Sequence, residues 1–430
     1  MGFNEKPVQL KVYVDKKKKK VMFAVAEEDF VEILLSFFTL PLGTIAKLSR
    51  KHANDIKLGS LTSIYESVVD LNHKHFSHDE CKDALLNPFN SSISHCQKLK
   101  VNLDERGASL GGDGDAVFLK TKANFIITDD LHVFPFMLDT SIVLFNSLGV
   151  QSINLLEERR MCFGFEEFSD LLKWSLLTNN PLTNLVIGGC KPCSSFFTNP
   201  KLIDSASISS TSGKIQMIKL LVHKSNKNVL CAQVENGFVE LLFSFLTIPL
   251  GTFVRLTKGD SSPMGIINLY DSISNLGDGN YLKSEDVKTV LLSPKLSDMY
   301  QIVTELLPIY EENIGRGQFL KEQARFIVSD DLEVTISQSI DIISKFNTLG
   351  VPVGDMEVLE VTIGEQEALL LLKASLTSTS ALTDCLDLFR KKLKDNVPVI
   401  DFAEDGVSDL EEFDFLEEEN DIDASFVMVD

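Results

Sequence analysis

Apolar residues alternate with polar ones at Leu10, Val12 and Val14, give way to a polar run, and resume alternating at Val21, Phe23 and Val25. A period of two on both sides of a polar turn predicts two short strands joined as a hairpin. The period then changes. Residues 30–38, FVEILLSFF, are apolar at nearly every position and predict a core helix, which Pro41 and Gly43 stop and after which Thr44 is placed to cap the next helix. Farther on, the pattern predicts a second hairpin around Asp129-Asp130, a helix ending at Gly149, a strand from about Ile153 and a last helix to Leu177. Short strands and helices in this arrangement indicate an α+β fold.

The whole pattern occurs twice. Phe30, Val31, Glu32, Ser36, Phe37, Thr39, Pro41, Leu42, Gly43, Thr44 and Leu48 recur as Phe238, Val239, Glu240, Ser244, Phe245, Thr247, Pro249, Leu250, Gly251, Thr252 and Leu256, at a constant offset of 208. IYESVVDL at 64–71 returns as LYDSISNL at 269–276, FIITDDLHV at 125–133 as FIVSDDLEV at 326–334, and FNSLGV at 145–150 as FNTLGV at 346–351. The offset drifts to 200 through small gaps in polar stretches, where loops tolerate them. The chain therefore reads as a first α+β module over 1–190, a Ser-rich linker over 191–214, a second module over 215–394 and a tail over 395–430.

Charge sharpens the last boundary. The chain carries a formal −21, and residues 395–430 alone hold eight Asp, six Glu and no Lys or Arg, leaving only −7 on the modules. Such a run without helical or strand periodicity predicts a disordered segment. Nearly balanced modules give no basic face, so nucleic acid is not an expected partner. No apolar run is long enough to span a bilayer, the N-terminus has no secretory pattern, and seven scattered cysteines suit a reducing compartment. A cytoplasmic protein is expected, with the nucleus open through the basic run Lys16–Lys20.

The strings AEEDFVEILLSFFTLPLGT, FIITDDLHV and LLKASL resemble a plant family known as domain of unknown function 674, over roughly residues 9–390 and both copies. The resemblance implies a plant origin and a tandem layout, and it implies no activity. Members of that family look as if they carry a cysteine-rich, zinc-ribbon-like insertion. Here only ERGASLGGDGDAV, without cysteine, stands at that place.

The second copy serves as a control for candidate chemistry. Cys190 and Cys193 form a lone Cys-x-x-Cys with no second pair and no counterpart, so linker cysteines are expected rather than a zinc or redox site. His73, His75, His78 and Cys81, with His95 and Cys96 nearby, offer metal-ligand chemistry, but the matching GDGNYLKSEDVK retains none of them. Asp129-Asp130 and Asp330-Asp331 are shared, and aspartate favours turns, so a hairpin turn is the reading rather than acid–base catalysis. Lys16–Lys20 answers to a plain polar turn at 223–228 and reads as an exposed hairpin tip. The repeated Pro-Leu-Gly-Thr lacks the glycine cradle and lysine of a phosphate loop. No catalytic, cofactor-binding or metal-binding residue is assigned.

The tail holds two hydrophobic islands, EEFDFLEEE at 411–419 and DASFVMVD at 423–430. In each an aromatic is followed three positions later by an aliphatic: Phe413 with Leu416, Phe426 with Val429. In an extended strand these two side chains reach separate pockets while the backbone pairs with a sheet edge. The pattern is similar to the motif by which autophagy receptors bind the ubiquitin-like proteins of autophagic membranes. Ser425 stands where an acid commonly precedes the aromatic, and its phosphorylation would supply the charge. The expected function is that of a non-enzymatic interaction protein. The alternative is an enzyme or small-ligand binder with its site in a cleft between the modules.

Overall fold

A computed structural model describes residues 8–51, 57–104, 117–120, 123–188, 215–258, 265–297, 306–309, 318–321, 325–336, 350–386 and 389. The first hairpin is β1 (Val8–Asp15) and β2 (Lys20–Glu27), with Leu10 opposite Ala26 and Val12 opposite Ala24. The register shifts between Tyr13 and Val14, and Lys19 takes a left-handed φ of 49° in the connecting turn. Next to β2 runs β3 (Asn124–Thr128), then β4 (Val133–Pro135), and β5 (Glu157–Phe163) covers the other side of β1. The result is an antiparallel sheet of order β4-β3-β2-β1-β5.

In the second copy β6 (Gln216–His223), β7 (Val229–Glu235), β8 (Arg325–Ser329), β9 (Val334–Ile336) and β10 (Met356–Ile363) form a sheet of order β10-β6-β7-β8-β9, the same order read from its other end. The strand expected from Ile153 begins later. Residues 153–155 form a single 3-10 turn and pairing starts at Glu157.

The helices of the first copy are α1 (Glu28–Ser36), α2 (Leu42–Lys51), α3 (Leu61–Asp70), α4 (Asp79–Leu86), α5 (Ile93–Cys96), α6 (Leu138–Ser147), α7 (Phe165–Leu177) and α8 (Pro181–Val186). Those of the second are α9 (Asn236–Ser244), α10 (Leu250–Thr257), α11 (Gly265–Asp278), α12 (Glu285–Leu292) and α13 (Glu365–Thr377). Glu28 and Asp29 in the first turn of α1 suit the positive end of its dipole, and every residue from Phe30 to Ser36 is buried. In α7 and α13 the third residue reaches back to the chain entering the helix: Gly164 N–H donates to Glu167 Oε2 and Gly364 N–H to Glu367 Oε2, both at 2.8 Å. Phe30 packs against Phe163 and Phe168 with ring centroids 5.0 Å away, and each fully buried phenylalanine of this kind contributes about 2–3 kcal/mol.

Thr44 does not cap α2. The helix begins two residues earlier, at Leu42, directly after Pro41, and its counterpart α10 has Pro249 at the cap position. A proline there has no N–H to leave unpaired. Thr252 instead donates from Oγ1 to Pro294 O, at 2.7 Å.

The copies do not sit side by side as separate bodies. Leu42 N–H donates to Ile248 O and Leu250 N–H to Leu40 O, each at 2.9 Å, so Pro41 and Pro249 face each other across a local two-fold. Helix α3 of the first copy lies along β9 of the second, where Val334 N–H donates to Ser67 Oγ at 2.7 Å. Symmetrically, α11 lies along β4, and Val133 N–H donates to Ser272 Oγ at 2.9 Å. Extended segments cross as well. Lys120 N–H donates to Tyr281 O and Lys283 N–H to Phe118 O, while Ser77 N–H donates to Phe319 O and Lys321 N–H to His75 O, at 2.8–2.9 Å. One apolar core runs through both copies. The Ser-rich linker and the acidic tail lie outside the described residues.

Candidate functional site

The aspartate pairs sit at the β3–β4 and β8–β9 turns, where Leu131 and Leu332 take φ of 65° and 62°. Asp129 is turned inward. It accepts from Thr183 N–H at 2.7 Å and Thr183 Oγ1 at 2.8 Å, and that same Oγ1 accepts from Val21 N–H at 2.9 Å. Asp330 repeats the arrangement with Thr383 and Val229, at 2.7, 2.8 and 2.9 Å. Each threonine thus ties the last helical segment of its copy to both hairpins. Burial pushes the Asp129 and Asp330 carboxyls up to about 6, against the pull of the threonine donors and, at Asp129, of Lys20 at 3.7 Å. Replacing Thr383 by valine leaves Val229 N–H and the Asp330 carboxyl short of partners. It is expected to cost about 2 kcal/mol, read as a lowered urea midpoint, while Thr383→Ser keeps the wild-type value.

The second aspartates differ. Burial pushes Asp130 up, but hydrogen bonds from His132, whose Nδ1 lies 3.2 Å away, and from Thr128 hold it below the usual carboxylate range. That bond in turn raises His132. Asp331 accepts from Ser329 Oγ at 2.6 Å and from Ser63 Oγ of the other copy at 2.8 Å. These pairs are joints of the scaffold.

Two buried glutamates, Glu32 on α1 and Glu240 on α9, do similar work. Glu32 accepts from the N–H groups of Val117, Phe118 and Leu119 at 2.7–2.9 Å, and Glu240 from Phe319 and Leu320 at 3.0 and 2.6 Å. These are the segments that cross to the other copy. Burial pushes both carboxyls up to about 7, and the backbone donors pull back only partly. Lys173 and Lys373 take equivalent places on α7 and α13, and burial holds both below the ordinary lysine range.

The copy-one histidines and cysteines spread over several elements. His73 and His75 form one 3-10 turn, His78 precedes α4, Cys81 is in α4, and His95 and Cys96 are in α5. Among the described residues no three His, Cys, Asp or Glu side chains are placed to hold a metal ion. Cys96 is buried 3.4 Å from Thr39 Oγ1, and burial pushes its thiol up to about 11. Lys16, Lys18 and Lys20 pair with Glu157, Asp15 and Asp129 at 3.7–3.9 Å. Where the copies meet, Phe38, Leu40, Leu42, Phe245, Ile248 and Leu250 are buried, giving a packed apolar junction among the described residues. Cys190, Cys193, Phe413, Leu416, Phe426 and Val429 lie outside the described residues.

Among the described residues, the outer side of α6 carries a cluster of exposed apolar side chains. Helix α6 lies on the outer face of the first sheet, where Leu144, Phe145 and Leu148 pack on Met22, Phe23 and Ile126. The Phe145 and Phe23 rings stand 4.7 Å apart. Its other side is apolar and open: Leu138 is 82% exposed, Val143 69% and Ile142 53%, and Phe136 and Met137 just before the helix are about half exposed. Apolar groups gathered on one outward helical side are the mark of a contact surface.

No helix among the described residues is long and apolar enough to cross a membrane. No curated protein and no solved structure matches the chain. A family model described as "Protein of unknown function (DUF674)" matches residues 4–110, 106–314 and 309–423. These three matches span almost all of the chain and are consistent with tandem copies, so the chain belongs to the DUF674 family.

Proposed function

We propose that this chain is a non-enzymatic, intracellular plant interaction protein: two clasped modules form one platform, and the acidic tail docks a protein partner. The observation that carries this reading is the fate of the polar residues. The shared aspartates, glutamates and threonines spend their hydrogen bonds on holding hairpins, helices and crossing segments in place. Apolar side chains meanwhile face outward on α6. Reactive sites need perturbed groups that face a cavity, and recognition needs outward surface.

For the tail, the proposed partners are the ubiquitin-like proteins of autophagy, with Phe426 and Val429 of the second island, and Phe413 and Leu416 of the first, entering paired pockets. The test is capture of the full chain on immobilised plant autophagy ubiquitin-like proteins. Phe426→Ala is expected to weaken capture at least about tenfold, with Phe413→Ala adding to it, because anchoring aromatics dominate such contacts. Capture that is absent, or equal for all versions, removes the tail reading.

A further inference from the structure

Three of the four sheet edges are guarded against a partner strand. Ser272 and Ser67 cover the free N–H groups of Val133 and Val334 on β4 and β9. The opposite edge strand of the first sheet, β5, carries Glu157, Glu158, Arg159 and Arg160 in succession, which discourages strand addition. Helix α6 offers apolar side chains instead.

Part of its apolar side is particular to the first copy's sequence. At the constant offset of 201 that links 125–133 and 145–150 to their counterparts, Phe136, Met137, Leu138 and Val143 correspond to Ser337, Gln338, Ser339 and Ser344. Ile142 keeps Ile343, while Asp139 and Ser141 change the other way, to Ile340 and Ile342. Of the residues that hold the helix down, Phe145 and Leu148 recur as Phe346 and Leu349, and Leu144 becomes Lys345. At positions 136–138 and 143 the apolar residues belong to the first copy alone.

Charge identifies the occupant. From Phe136 to Val150 the only charged residue is Asp139. The acidic tail would find no cation there, and a strongly charged partner no complement. An equally uncharged surface is complementary to it. With Ile153 and Leu155 of the following turn, 46% and 75% exposed, the apolar side chains open on the order of 700 Å2, close to the roughly 800 Å2 per partner of a standard interface. We propose that this face receives a second copy of the chain, in a two-fold dimer with the two α6 helices antiparallel. Leu138 and Ile142, one turn apart, form a ridge that enters the groove beside its partner's ridge, and the two Asp139 side chains fall at opposite ends.

This proposal goes beyond the tail reading and does not depend on it. The test is sedimentation velocity of the full chain over a concentration series, with two variants whose changes lie on solvent: Leu138→Asp, and the triple Phe136→Ser, Leu138→Ser, Val143→Ser that copies the second module. The wild type is expected to pass from monomer to dimer in the micromolar range. Both variants are expected to raise the dissociation constant at least about tenfold while keeping the wild-type circular dichroism and melting temperature. A wild type that stays monomeric throughout overturns the proposal, as does a dimer that neither variant weakens. A monomer that dimerises only after removal of residues 395–430 assigns the face to the tail instead, and overturns it too.

Discussion

Gly251→Ala is expected to lower the stability of the whole chain by about 3 kcal/mol or more, and to do so for both copies together. A methyl group at this position would lie 2.4 Å from the carbonyl oxygen of Leu291, 2.8 Å from Pro294 Cδ and 3.2 Å from the carbonyl oxygen of Phe38. Two of these three are backbone atoms, held by α12 and by the first copy, and neither can swing aside. Gly43 is in milder contact, with Pro88 Cγ at 2.9 Å and the Leu246 carbonyl at 3.0 Å, so Gly43→Ala is expected to cost about 1–2 kcal/mol. The two glycines let the start of each helix approach a 3-10 turn of the other copy, Phe245–Thr247 for Gly43 and Phe37–Thr39 for Gly251, which gives the recurrent Pro-Leu-Gly-Thr a structural role. The chain's only tryptophan, Trp174, is on α7 of the first copy. In urea the Trp174 fluorescence of Gly251→Ala should shift to a lower midpoint in step with far-ultraviolet circular dichroism. A fluorescence midpoint left at the wild-type value would mean that the copies unfold separately, against a shared core.

Much of this scaffold was legible in the sequence, and the duplication made it so. Alternation at Leu10–Val14 and Val21–Val25 marked β1 and β2, and the double aspartate marked the turns between β3 and β4 and between β8 and β9. Periodicity reports which side of an element is apolar. It does not report which copy supplies the covering surface, so nothing in the repeated string at 64–71 shows that α3 lies along β9 of the second copy. Thr44 read as a cap because threonine favours caps, but Pro41 sets φ one residue before Leu42 and starts the helix earlier.

Signals for the buried joints were present and unread. Glu32 and Glu240 are charged residues at the same place in two otherwise apolar helices, a pattern that a solvated side chain does not produce. Ser67 and Ser272 are likewise shared. The α6 surface was hidden for the opposite reason. Leu138, Ile142 and Val143 look like core in a pattern, and only the position of the helix on the outer face of the sheet shows them open.

Glu32→Leu is expected to destabilise the chain by about 3–5 kcal/mol at pH 5.5 and by less at pH 8.5. The substitution leaves the N–H groups of Val117, Phe118 and Leu119 without their acceptor, and each buried donor left alone costs about 1–3 kcal/mol. The pH dependence follows from the wild type. Burial raises the Glu32 carboxyl from 4.5 to about 7 in the folded chain, so between these values the folded state holds the proton more tightly than the unfolded state. Its contribution to stability is therefore full below pH 4.5 and is lost as pH rises through about 7. Leucine does not titrate, so the difference between wild type and variant narrows as the wild type loses this contribution. Glu240→Leu should behave alike, with a smaller loss because Glu240 serves two donors, Phe319 and Leu320. Urea midpoints for wild type and both variants at the two pH values decide the matter. A difference that widens toward pH 8.5 would mean that the backbone donors outweigh burial and hold Glu32 ionised, so that the crossing segments are clasped by a carboxylate whose stabilising effect grows with pH.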